Sequence, residues 1–328
     1  MKWRSRTLVL LLLLLFVLTA CSPRPLDDPG KDPVFKLTGL KGPTSMGLAP
    51  LVSKAQAGDL SFDVDFDVVA SPEELVPMIV RGDCDLAALP ANLAATLYQK
   101  TEGKVLVLAI NTLGVLDIVE RGDSIHALED LAGRTVYASG EGAVPQYVLN
   151  LLLEKSGLDP DKDLDLVWMA EHGAIVARMQ AEEGSVALLP QPFVTIAQKQ
   201  MTDLRLALDL NDDWERLIPD AGLVMGVLVA QKETVEKNPQ AIEAFMAAYK
   251  EAIDLTNESP DQVAALIEEL DIFDAAVARE AIPFCNIHFA DKEAMKSALS
   301  GFLTLLMGIN PQSVGGQLPG EDFYYGAK

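Results

Sequence analysis

Glu141, Glu171 and His172 are the residues whose types and positions most invite chemistry in this chain. Each stands at the end of a predicted strand, where the next helix begins. A carboxylate there can accept hydrogen bonds from a bound molecule or face a positive charge. It can equally serve as a favourable charge at a helix N-terminus. Asn92 and Gln191, which both donate and accept, follow two matching turns, Leu89-Pro90 and Leu189-Pro190. Thr44, Ser45 and Ser71 add hydroxyls at helix starts, where capping is a competing use. Met46, Asn111, Ser139 and Gly142 complete the candidate ligand-binding set, because they lie at the same strand ends or at a crossing between lobes. His172 has no serine or cysteine nucleophile motif beside it. The chain also lacks HExxH, a phosphate-binding loop and CxxC, so no catalytic residue, metal site or cofactor is expected.

These residues need elements to hold them. Val34–Leu40 reads as a strand, followed by the turn Gly42-Pro43-Thr44-Ser45 and a helix from Met46 to Ala57. Phe62–Ala70 alternates as a strand. Ser71-Pro72-Glu73-Glu74 reads as a capping box with proline at the first helical position. Val105–Val119 is split by Gly114 into two strands. Strands follow at Thr135–Ser139, Asp165–Ala170, Leu204–Leu210 and Gly222–Ala230. Asn211–Pro219 is polar and is assigned no element. Helices are expected over Pro145–Ser156, Ala174–Glu182, Pro239–Leu255, Asp261–Leu270 and Lys292–Met307.

One stretch occurs twice. DCDLAALPANLAATL, from Asp83 to Leu97, has an echo in GSVALLPQPFVTIA, from Gly184 to Ala197. Ala87, Leu89 and Pro90 fall on Ala187, Leu189 and Pro190. Asp65–Ala70 maps onto Asp165–Ala170 at the same offset. Two strand–helix–strand–helix–strand–helix halves predict an α/β fold of two lobes, each a mainly parallel sheet covered by helices. The expected divisions are 34–112 plus 222–328 for the first lobe and 113–221 for the second. Two strands crossing between them would form a hinge.

The N-terminus gives an address. Lys2, Arg4 and Arg6 precede the apolar run Leu8–Leu18, which is shorter than the roughly 20 residues of a membrane-spanning helix. This reads as a signal peptide over residues 1–20. Cys21 follows Leu18-Thr19-Ala20, and residues 21–33 read as a proline-rich tether. A formal net charge of −22 disfavours nucleic acid and anionic lipid surfaces. Cys84 and Cys285 sit in apolar settings and read as buried thiols, with a bridge left open.

The LTAC sequence, the tether, the Gly-Pro-Thr-Ser-Met loop and the paired ALP/LLP turns together resemble extracytoplasmic solute-binding lipoproteins of ABC importers. Within these, the chain is most similar to the nitrate, sulfonate, taurine and thiamine-precursor group. The resemblance spans residues 34 to about 315 and rests on the order of elements more than on any one motif. It implies a two-lobe periplasmic-binding-protein clamp, lipidation at Cys21, an anchor to the bacterial cell membrane through lipid only, and a monomer serving a permease and its ATPase.

In open α/β sheets, ligands bind beyond the carboxyl ends of the strands. Pro90–Asn92 is therefore expected to face Pro190–Pro192 across a cleft. With Glu141 and Glu171 there, and Lys41 as the one basic residue near the mouths, the expected ligand carries hydrogen-bond donors or positive charge: a heterocycle, a cation or a zwitterion. Two other functions share the fold class: pyrimidine-synthase or dehydratase enzymes, and lipoproteins that present a bound ligand to a membrane receptor. The signal and tether argue against the enzymes.

Overall fold

The computed structural model describes residues 32–328. The signal peptide, Cys21 and nearly all of the tether lie outside the described residues. Residues 33–328 form one compact unit.

The strands are β1 Val34–Leu40, β2 Asp63–Val69, β3 Leu86–Pro90, β4 Val105–Leu113, β5 Leu116–Arg121, β6 Thr135–Ser139, β7 Asp165–Met169, β8 Val186–Pro190, β9 Leu204–Asp209, β10 Val224–Gln231 and β11 Ile287–Asp291. In chain order the α-helices are α1 Pro43–Met46, α2 Ala49–Gln56, α3 Pro72–Arg81, α4 Ala91–Lys100, α5 Val144–Lys155, α6 His172–Ala181 and α7 Phe193–Gln200. They continue with α8 Leu210–Leu217, α9 Lys232–Lys237, α10 Pro239–Glu258, α11 Pro260–Glu269, α12 Ala275–Ala281 and α13 Lys292–Ile309.

A six-stranded sheet has the order β11-β4-β10-β3-β1-β2, and a five-stranded sheet the order β7-β6-β8-β5-β9. Counted from β2 and β7, the first five places match, and β11 has no counterpart in the second sheet. β2, β1 and β3 are parallel, as are β7, β6 and β8. The fourth place in each sheet is taken by a strand arriving from the other half of the fold. β10 pairs antiparallel with β3, placing Gly226 opposite Pro90; β5 pairs antiparallel with β8, placing Leu116 opposite Pro190. The expected parallel sheets thus hold for the three strands nearest the repeat, while the crossing strands enter antiparallel. Both repeat strands are hydrophobic throughout and buried, as central strands covered on two faces must be.

The chain passes between sheets at Gly114-Val115 and again between α8 and β10. A side chain at Gly114 would meet Asn211 Oδ1 at 1.6 Å, and one at Gly226 would meet Thr44 Cγ2 at 2.5 Å and Asn111 Oδ1 at 2.6 Å. Both crossings are therefore packed tightly enough to require glycine.

Several expectations are corrected. Asn211–Pro219, polar in sequence and assigned no element, is largely helical: Asp209 accepts from Asn211 N at 2.8 Å and starts helix α8. This helix buries Trp214, whose ring lies 5.9 Å from Phe302 of α13. Trp214 thereby joins the core beneath one sheet to the core beneath the other. Ser71 occupies the helix-start position before α3, but its side chain makes no capping bond, so the expected capping box is not formed. The short elements α9, α12 and β11 carry too little periodic sequence to be read in advance. Cys84 and Cys285 are buried, unbridged thiols. Burial pushes the Cys84 thiol up to about 11 and raises Cys285 as well.

Candidate functional site

The two halves meet along a cleft. Its larger part has a volume of 450 Å³ and is walled by Lys41 and Ala70 after β1 and β2, by Glu171, His172, Phe193 and Ile196 from the second sheet's helices, and by Glu268, Phe273 and Asp274 around the α11–α12 turn. A smaller pocket of 100 Å³ shares Lys41, His172 and Phe193. It adds Thr44, Pro90, Pro190, Gln191, Met225 and the crossing residues Val115 and Leu116. Pro90 and Pro190, the matched turn residues of the repeat, line the same small pocket, while Asn92 does not.

Contacts hold the halves together across this cleft. Phe193 of α7 meets Phe273 edge-on at 5.6 Å. Lys199 of α7 pairs with Glu280 of α12. Asn92 Nδ2 of α4 donates to the carbonyl of Gly142, before α5, at 3.0 Å.

Of the eleven sequence-derived ligand candidates, the structure brings Thr44, Glu171 and Gln191 to these walls. Glu171 takes the helix-start position of α6 in extended conformation, and its carboxylate makes no capping bond. It is exposed and open to the cleft. Gln191 is 4% exposed and turns its Oε1 to Thr195 Oγ1 at 2.8 Å, which stabilises the start of α7.

The others are placed elsewhere. Ser45 is fully buried and donates to the Leu40 carbonyl at 2.6 Å, closing the turn after β1. Met46 is fully buried core, its sulfur 3.9 Å from that of Cys285. Ser71 is buried and does not line the cleft. Asn111, 1% exposed, accepts from Thr112 Oγ1 at 3.2 Å, while its Nδ2 is buried without a partner. Asn92 is fully buried and does not face Gln191. Its Nδ2 is divided between Gly142 and the Ser313 carbonyl at 3.1 Å, leaving Oδ1 unpartnered. Glu141 and Gly142 are exposed in the turn before α5, where Gly142 has φ +73°. Ser139 is 3% exposed, and its hydroxyl hydrogen-bonds His172 Nδ1.

His172 is the residue that sequence reasoning undervalued. It lines both parts of the cleft, and its ring stands 4.8 Å from that of Phe193. Burial lowers the imidazole to about 4, so it is neutral at pH 7 and can hydrogen-bond a ligand without charging it. Ser139 is turned toward this ring and away from the cleft, which makes it a positioning residue. Phe273 and Asp274, in the loop between two short helices, and Glu268, near the end of α11, were missed because this region has no repeat partner. The signal available was Lys41, whose Nζ sits 5.7 Å from the Phe273 ring centre, a cation–π contact.

The cleft is therefore aromatic at its centre and strongly acidic at its rim. Glu171, Glu268, Asp271 and Asp274 line the larger part, with Lys41 as the one lysine or arginine among the described lining residues. No described helix is long and apolar enough to cross a membrane.

Comparisons with known proteins fit this architecture. A structure of an ABC transporter protein from Parabacteroides distasonis is 26% identical, with a TM-score of 0.72, over 89% of this chain and 99% of that one. The periplasmic aliphatic sulphonate-binding protein SsuA of Escherichia coli shares the fold at 17% identity and a TM-score of 0.68, over 87% of this chain and 96% of that one. The periplasmic nitrate-binding protein NrtA of Synechocystis does so at 15% and 0.66, over 88% and 85%. A binding protein of Brucella abortus is 25% identical over 168 residues, which cover 51% of this chain and 50% of that protein. The chain thus spans about half the length of the curated relatives it matches. The profile of the family described as "ABC transporter, phosphonate, periplasmic substrate-binding protein" matches residues 57–278. On that match, the chain belongs to the family of periplasmic phosphonate-type substrate-binding proteins of ABC transporters.

Proposed function

We propose that this protein captures a small solute outside the cytoplasmic membrane and delivers it to an ABC permease. The first lobe comprises 34–112 and 222–328, the second 113–221, and the solute binds between them. Its contacts to both lobes favour the closed arrangement, and ligand affinity for that arrangement sets how far the population shifts. Cys21 carries the lipid that keeps the protein at the membrane. Family membership supports this reading, as do the matched sheets and the cleft between them.

The ligand is a zwitterion, of which an amine-bearing phosphonate is the leading class. One observation carries this: four acidic side chains and a single lysine, Lys41, line one cleft. The amine would face Glu171 and the α11–α12 acids. The anionic end would lie toward Lys41 and the first N–H groups of α6, which have no intrahelical acceptor. Phe193 and Phe273 would cover the carbon chain. A simple monoanion could take the Lys41 end but would leave the facing acids with no positive charge beside them.

Calorimetric titration with 2-aminoethylphosphonate, taurine, methylphosphonate, choline and nitrate tests this. The zwitterions are expected to bind and the simple anions to bind weakly or not at all. Tight binding of nitrate or methylphosphonate, with no gain from an added amine, would overturn the ligand assignment.

A further inference from the structure

A second cavity, apart from the cleft above except for Gln191 and Val115, opens beside the hinge. It has a volume of 330 Å³ and is bounded by Gly114 at the crossing, by Asp117 of β5 and Asp209 of β9, by Asn211, and by the Pro283–Asn286 loop of the first lobe. No lysine, arginine or histidine lines it.

Asp117 and Asp209 are register partners on adjacent strands, so their side chains stand together on one face of the sheet. Asp117 is 6% exposed, and its carboxylate receives no hydrogen bond or ion pair from any described residue, its backbone being paired in the sheet. Asp209 has Oδ1 engaged by Asn211 N at 2.8 Å and Nδ2 at 2.9 Å, which leaves its second oxygen open.

The same strand handles its other buried acid differently. Glu120, 1% exposed, pairs with Arg205 at 2.8 Å and accepts from Ser124 and Ile125. Burial alone would raise Glu120, but these bonds outweigh it and hold the carboxyl at about 2. Asp117 has no such partners. Burial first, and then the neighbouring charge of Asp209, push it up to about 8.

Two adjacent carboxylates, one of them bare, buried and lining a cavity, are a configuration that a cation resolves. We infer that the cavity beside the hinge binds a hydrated hard divalent cation, such as Ca²⁺, through Asp117 and Asp209. Oxygen ligands suit such an ion, and it keeps several waters when the protein supplies few donors. The volume holds an ion with part of its water shell, at about 30 Å³ per water. Among the described residues no group of three or more acidic, cysteine or histidine side chains could hold a metal. The site is therefore a two-carboxylate, water-completed one. With only two protein carboxylates the site is expected to be weak, with Kd no tighter than about 10⁻⁴–10⁻³ M, the weak end of calcium sites. The inference stands independently of which solute the main cleft takes.

Thermal unfolding of the purified full chain tests it. After EDTA treatment and dialysis at pH 7.5, 10 mM CaCl₂ is compared with NaCl at equal ionic strength. Calcium is expected to raise Tm by about 2 °C or more. Asp117→Asn, which keeps the shape and removes the charge, is expected to fold and to lose that shift. Asp209→Asn, which retains an oxygen for the helix cap, serves if the first variant fails to fold. No calcium-specific shift in the wild type overturns the inference, as does an undiminished shift in the variants. A Tm that responds to pH between 6 and 8 but not to calcium also overturns it, since the pair would then share a proton.

Discussion

Asn92 Nδ2 reaches from the first lobe to the Gly142 carbonyl of the second at 3.0 Å while also holding the Ser313 carbonyl. A residue expected to meet ligand is instead a buried clasp between lobes and the C-terminal segment. Asn92→Ala would remove both bonds, leaving the Gly142 carbonyl without its side-chain donor and the Ser313 carbonyl with only Thr96 Oγ1 at 3.4 Å. It is expected to cost about 1–3 kcal/mol of stability, read by urea denaturation. Solute affinity measured well below Tm would change little by comparison with a wall residue.

Glu171 makes the opposite prediction. It is exposed, at the cleft, and caps nothing. Glu171→Gln is expected to leave Tm within about 1 °C and to weaken a zwitterion by about tenfold, the scale of one charged hydrogen bond. Calorimetry beside a melting curve separates the two effects.

The repeat explains how much of this was legible. Leu86–Pro90 and Val186–Pro190 are hydrophobic strands bounded by turn residues, and their equivalence predicted two lobes with parallel strands, though not the strand order or the antiparallel entry of β5 and β10. Which side chain faces the cleft was less visible. Ser45, Asn92 and Gln191 sit at the right strand ends, but Ser45 and Gln191 satisfy neighbouring groups first, and Asn92 satisfies carbonyls distant in sequence. That choice depends on Leu40, Gly142 and Thr195 geometry, which sequence spacing does not give. Phe273 lies far along the chain from everything it faces, and Asp117 was hidden in a strand that reads as plain core.

Asp117 also sets a pH dependence. Its folded-state value is raised above that of the unfolded chain, so the folded protein binds the extra proton. The associated stability is full below the unfolded value of about 4 and is lost as pH rises toward about 8. Asp209 is the charged group that faces it. In EDTA, wild-type Tm is expected to fall between pH 5 and 8, and Asp117→Asn to flatten this fall. Melting curves across that range check it.

His172 acts in the other direction. Burial depresses it to about 4, so its contribution is present above the unfolded value of about 6.5 and is lost as pH falls toward 4. His172→Gln removes this acid sensitivity. A steeper acid loss in the variant than in the wild type would contradict the assignment.

Gly114 tests the hinge. A methyl group there would meet Asn211 Oδ1 at 1.6 Å, and that side chain is tied to Asp209. Gly114→Ala is expected to cost about 1–3 kcal/mol, typical of overpacking, measured by denaturant unfolding. Asn211→Ala in the same chain should restore part of the loss.

The central claim is that one zwitterion bridges the cleft between Lys41 and Glu171. Its most direct test is calorimetric titration of 2-aminoethylphosphonate into the wild type, Lys41→Ala and Glu171→Gln. The account predicts saturable one-to-one binding to the wild type, weakened about tenfold or more in each variant. Equal affinity in all three proteins would contradict it, as would tighter binding of methylphosphonate than of its amine-bearing relative.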